Sequence, residues 1–232
     1  MINRSRSLKR IFPAFGAALV ASLLLSGLVA GSALALSYSP APSTASITGG
    51  WLVLNVAGAE NKLVECEKYI GSASFSSGTT GNASLEFTGC KAPRMWVEPL
   101  KCTTAGAPTG TIRTKLLTVR PAYLNAEKTK YGVEMQGEGG GLDPLKEPLG
   151  TVATFECGGG TGVRTLSGVI TVEITNPLNV ETKKFNGVIN EATQKAGGGP
   201  WHLGLSEGGK VVTPSTSWYM TPSGGLSAKF VP

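Results

Sequence analysis

The chain has 232 residues, 21 Lys and Arg against 15 Asp and Glu, a formal net charge of +6, 32 glycines, four cysteines and a single histidine. One His, and no pair of Cys at C-x2-C spacing, argue against a zinc site. No basic block interleaved with aromatics is present, which argues against a nucleic-acid partner.

The first 35 residues read as an export signal. Arg4, Arg6, Lys9 and Arg10 precede an uncharged, Leu/Ala/Val-rich run, which exits through Gly31-Ser32-Ala33-Leu34-Ala35. Ala33 and Ala35 fit the small-x-small pattern of signal peptidase, so cleavage is expected between Ala35 and Leu36. The rival reading is an uncleaved anchor, since about 18 apolar residues can span a bilayer. Removal of the leader takes away four of the 21 basic residues and none of the acidic ones, leaving 17 against 15 and a net charge of +2. No stable membrane span is expected after cleavage.

Residues 36–46, rich in Ser and Pro, read as a disordered tether, and residues 47–232 as a single all-β domain. Trp51–Val56 is the first strand candidate. Period-two alternation marks half-buried strands at Ser84–Thr88, with Leu85 and Phe87 on one face, and at Ile170–Thr175, with Ile170, Val172 and Ile174 on one face. Val133 and Met135 alternate with Glu134 and Gln136, which puts both polar residues on a solvated face. Phe185 and Ile189 share a phase, as do Leu226, Ala228 and Phe230. Asn125–Lys128 reads as a hairpin turn in preference to a short helix over 125–130, and Pro177 as a strand stop. Triple glycines at 139–141, 158–160 and 197–199 read as loop tips. Many short strands joined by Gly-rich turns give a mostly β fold, an antiparallel β-sandwich or β-barrel with two disulfides.

Four cysteines in an exported chain argue for two disulfides. Cys66 shares a phase with Val64 and Ile70, and Cys157 with Phe155 and Ala153, so both are expected to point inward. Cys90 falls at a strand exit, close in sequence to Cys102. The expected pairing is therefore Cys90–Cys102 and Cys66–Cys157.

Candidate chemistry is sparse. Gly204-Leu205-Ser206-Glu207-Gly208 has the spacing of a nucleophile elbow. That chemistry needs a strand-to-helix turn and a later His, yet His202 precedes the Ser and no helix pattern follows. Glu86, Glu134 and Glu173 fall on polar phases, so a carboxylate pair is visible only in space. The lone Asp143 makes a calcium site poor. No cofactor motif occurs, and no metal site or catalytic residue is expected. Trp51, Trp96, Trp201 and Trp218 are possible ligand platforms, although large aromatics more often fill a β core. The candidate binding group is Trp201 and His202 with Trp218 and Tyr219.

Taken together, Cys66, Phe87-Thr88-Gly89-Cys90, Cys102, Gly110-Thr111-Ile112, Phe155-Glu156-Cys157, Leu166-Ser167-Gly168-Val169-Ile170 and Asn176-Pro177-Leu178-Asn179 form a pattern behind a signal peptide. Over roughly residues 60–195 the chain resembles the large paralogous sets of secreted proteins of soil actinobacteria. The resemblance implies an exported, disulfide-bearing β fold and no catalytic residue. The expected function is a non-enzymatic binding or surface-structural module, secreted or held at the cell envelope, with an extracellular or envelope ligand. A secreted polysaccharide hydrolase is the alternative, or a small-ligand carrier if the strands close into a barrel.

Overall fold

The computed structural model describes residues 36–56, 62–94, 97–138, 150–158, 162–195 and 204–232. Within it, alternating apolar and Ser/Thr-rich segments form strands whose successive side chains point to opposite faces. The strands are β1 (Ser37–Ser39), β2 (Ser43–Gly49), β3 (Leu52–Val56), β4 (Lys62–Cys66), β5 (Lys68–Ser77) and β6 (Thr80–Thr88). There follow β7 (Lys91–Ala92), β8 (Leu100–Thr103), β9 (Ile112–Arg113), β10 (Leu117–Tyr123), β11 (Tyr131–Gln136) and β12 (Thr151–Cys157). The last are β13 (Val163–Ile174), β14 (Phe185–Ile189), the one-turn helix α1 (Glu191–Lys195), β15 (Leu205–Glu207), β16 (Lys210–Pro222) and β17 (Lys229–Val231).

All pairings are antiparallel, and they run in two circuits that share the long strands β13 and β16. The first passes β2, β5, β6, β10, β11, β13, β14 and β16, and β16 pairs β2 again. The second passes β3, β4, β7, β8, β12, β13, β15 and β16, and returns to β3. Some seams are thin: β6 meets β10 over three residue pairs, β13 meets β14 over two, and β4 meets β7 through Glu65↔Lys91 alone. The result is barrel-like rather than a continuous barrel wall.

The described residues, from Leu36 to Pro232, form one compact unit, and its interior is filled by side chains. β1 pairs β17, and Tyr38 from β1 stacks on Phe75 with ring centroids 4.2 Å apart. Phe230 of β17 stands edge-on to Tyr38 and Phe185, at 5.4 and 5.0 Å. Burial raises the Tyr38 phenol to about 12. First and last strands thus plug the first circuit with aromatic rings.

This corrects the expected tether. Residues 36–46 contain β1 and the start of β2, and Leu36, Tyr38 and Ala45 are buried. The Ser/Pro composition masks a period-two pattern in which Leu36, Tyr38, Ala45 and Ile47 face inward while Thr44 and Ser46 face outward.

The disulfides also differ from expectation: they are Cys66–Cys90 and Cys102–Cys157. Cys66 and Cys157 both point inward as expected, but the phase that Cys66 was expected to share with Ile70 breaks at Glu67, a bend between β4 and β5, and Ile70 faces outward at 55 % exposure. β5 and β6 form a hairpin ending at Lys68↔Thr88, and the Cys66–Cys90 bridge lies two residues beyond that pair, Cys66 at the end of β4 and Cys90 just past β6. Cys102 and Cys157 are directly opposite each other on β8 and β12.

Other expectations hold. Leu85 and Phe87, Val133 and Met135, Phe185 and Ile189, and Ile170, Val172 and Ile174 are all buried. Asn125–Lys128 is the turn of the β10–β11 hairpin, closed by a bond from the Lys128 amide to the Asn125 carbonyl. β13 ends before Pro177. Leu226 departs from its expected phase and is exposed, whereas Ala228 and Phe230 are buried.

Candidate binding site

Of the candidate group Trp201, His202, Trp218 and Tyr219, the last two are among the described residues. Trp218 is 1 % exposed and sits in the core, which removes it as a ligand platform. Its neighbour Tyr219 faces outward on β16, part-buried, with the Lys184 ammonium 4.2 Å from its ring centroid. Trp201 and His202 lie outside the described residues, as do Ala33, Ala35, Trp96 and Asp143. Trp51 is half-exposed beside Lys91. Ser206 lies within β15, followed by the Gly208-Gly209 turn into β16, so the G-x-S-x-G spacing belongs to a β-hairpin and lacks the strand-to-helix elbow. No cluster of three His, Cys, Asp or Glu side chains suited to a metal occurs among the described residues. No helix among them is long and apolar enough to cross a membrane.

Glu134 is a further correction to the sequence reading. It is 4 % exposed, not solvated, and sits in a cross-strand row between Arg120 on β10 and Thr171 on β13. Burial raises its carboxyl to about 7, while the Arg120 charge pulls the other way. Gln136, two residues on, is buried as well. A carboxyl of that acidity suits a general acid, but its burial keeps it from a polymeric substrate.

Inside the fold, the cavity between the two circuits measures about 40 Å3 and is wholly apolar, lined by residues such as Leu54, Phe87, Ile170 and Trp218. Ligand sites generally need roughly 300–1,000 Å3. The interior therefore does not accommodate a carried ligand.

A larger pocket is lined by residues at the ends of β3, β4, β7, β8, β12, β13, β15 and β16, the strands of the second circuit. It measures about 380 Å3. Val56, Leu63, Ala92 and Leu100, with Cys157 of the disulfide, supply its apolar wall. Its charged lining is Lys62, Arg94, Arg164, Glu207 and Lys210. Lys62 pairs with Glu65, and Arg164 Nη1 lies 3.5 Å from Glu207 Oε1. The mouth thus joins an apolar wall to four cations and one carboxylate, a combination suited to orienting a ligand that has both a charged and an apolar part.

Sequence reasoning centred on aromatics and missed this mouth. A usable signal was present: Arg164 lies two residues before Leu166, Glu207 two after Leu205, and Lys210 two before Val212. Charges on the apolar phase of three strands are out of place in a filled core.

Comparison with family models, with curated proteins and with solved structures returns no match to this chain.

Proposed function

We propose that this chain is an exported, non-enzymatic β module that binds an extracellular or cell-envelope ligand at the mouth of its second strand circuit. The observation that carries the reading is the lining of the 380 Å3 mouth, where Lys62, Arg94, Arg164, Lys210 and Glu207 meet an apolar wall, beside an interior whose apolar cavity measures only 40 Å3. Export is supported by the leader pattern ending in Ala33 and Ala35, by the likeness to secreted actinobacterial paralogues, and by two disulfides, which persist in oxidising compartments.

The test is to incubate the secreted protein with purified envelope polysaccharide and lipid fractions, measuring retention and reducing-end release together. Retention without release is expected, and Ala92→Trp, which fills the pocket, should abolish it. Steady release of reducing ends, or retention indifferent to Ala92→Trp, contradicts the proposal. N-terminal sequencing of the secreted material should begin at Leu36; intact Met1 in the membrane fraction contradicts export by cleavage.

A further inference from the structure

The chemistry of the mouth narrows its ligand, resting on the reading above that the mouth is the binding site. Alternate residues of a strand share a face, so Arg164, Glu207 and Lys210 occupy the inward phase set by the buried Leu166, Leu205 and Val212. Their charges therefore ring the opening instead of dispersing over the outer surface. Lys62 and Arg164 each have a carboxylate partner, whereas Arg94 and Lys210 have no ion pair among the described residues. The Arg164 Nε–H is buried without a hydrogen-bond acceptor among the described residues. A buried donor left unpaired carries a desolvation cost that an incoming acceptor relieves. A guanidinium offers several donors in a planar fork, which matches the oxygens of a phosphate or carboxylate.

We propose that the mouth binds an amphipathic oxyanion, a phosphate or carboxylate head carrying a short alkyl body. Arg164, Lys210 and Arg94 hold the head, and Val56, Leu63 and Leu100 receive the apolar part. The single carboxylate, Glu207, orients Arg164 and leaves the rim positive: the five charged lining residues are four cations and one anion, a local net of +3. Neither half of the ligand suffices, because the cations lie at the rim of a small apolar pocket and solvent screens a bare ion there.

The experiment is titration calorimetry of the secreted protein with decyl phosphate, decanoate, decanol and inorganic phosphate. Decyl phosphate and decanoate should bind at least tenfold more tightly than decanol or inorganic phosphate, and more weakly as salt rises. Lys210→Met, at an exposed position, should weaken decyl phosphate binding about tenfold or more. Arg164→Met should do so at least as strongly, with circular dichroism checking that the part-buried site still folds. Co-sedimentation with anionic phospholipid vesicles identifies a membrane source of the same head chemistry; binding to free decyl phosphate without sedimentation identifies a soluble one. Decanol binding as tightly as decyl phosphate, or Lys210→Met binding within twofold of wild type, overturns the oxyanion assignment. If decanol binding is then blocked by Ala92→Trp, the mouth survives as a binding site and only its ligand class fails. If no probe binds and envelope retention ignores Ala92→Trp, both readings fail.

Discussion

Replacing each disulfide by an alanine pair should separate two contributions that chain entropy alone makes nearly equal. Cys66–Cys90 spans a sequence separation of 24 and Cys102–Cys157 one of 55. The loop-closure relation assigns them about 3.5 and about 4.2 kcal/mol. Local pairing widens that gap. Cys66–Cys90 continues a β5–β6 ladder of nine residue pairs, which keeps its ends near one another without the bond. Cys102–Cys157 bridges β8 to β12, whose ladder has two residue pairs, one of them the cysteines themselves. The other neighbour of β8 is β7, tied to β4 by a single pair. Cys102→Ala/Cys157→Ala should therefore cost more than Cys66→Ala/Cys90→Ala. Either loss is a large share of a typical domain stability of about 5–15 kcal/mol. Guanidinium unfolding followed by tryptophan fluorescence measures both, with the buried Trp218 among the reporters. A larger loss for the Cys66 pair, or a loss under about 1 kcal/mol for either, would refute the reasoning. Non-reducing peptide mapping should yield Cys66–Cys90 and Cys102–Cys157 peptides, and a Cys90–Cys102 peptide contradicts the pairing.

The aromatic plug predicts that Tyr38→Ala, which removes the ring stacked on Phe75, costs about 3–5 kcal/mol in denaturant unfolding; a change under 1 kcal/mol contradicts the plug. Gly132→Ala should destabilise by about 1–3 kcal/mol, because its Cβ would stand 1.8 Å from the Val172 carbonyl oxygen and force β11 away from β13. An unchanged midpoint shows that the two strands are not so close. Burial raises the Glu134 carboxyl from the ordinary 4.5 to about 7 in the folded protein, so the folded form holds the extra proton between those values. Its contribution is complete below about pH 4.5 and is lost as pH rises through 7, by at most about 3 kcal/mol. Glu134→Gln should flatten that fall in a series of unfolding curves from pH 4.5 to 8; parallel profiles for the two proteins contradict the assignment.

The β class was legible because alternation needs only the chain itself: Leu85 with Phe87, and Ile170 with Val172 and Ile174, point inward as their phase requires. Alternation became misleading wherever a strand bends or is buried on both faces. Glu67 resets the phase between β4 and β5, so Cys66 and Ile70 do not share a face despite their spacing. A hairpin register centred on the Gly78–Thr79 turn places Cys66 near Cys90, and that route to the pairing was open in the sequence. Glu134 and Gln136 fit the polar phase but are buried, because β11 is covered on both sides, and a one-strand pattern has no access to that. The Ser/Pro stretch at 36–46 was misjudged for a related reason: its order comes from β17, nearly 200 residues away, and from β5. The mouth depends on strand ends from distant parts of the chain meeting at Val56, Ala92, Cys157 and Lys210, and only the charges on apolar phases at Arg164, Glu207 and Lys210 foreshadow it.

The most direct test of the central claim is amide chemical-shift mapping of the labelled protein during titration with decyl phosphate. Saturable shifts should be confined to Leu63, Ala92, Leu100, Arg164, Glu207 and Lys210, with Trp218 and its core neighbours unmoved. Shifts centred on the outer Ser/Thr face at Ser46, Ser72 and Ser84, or no saturable shift at all, contradict a ligand site at the mouth.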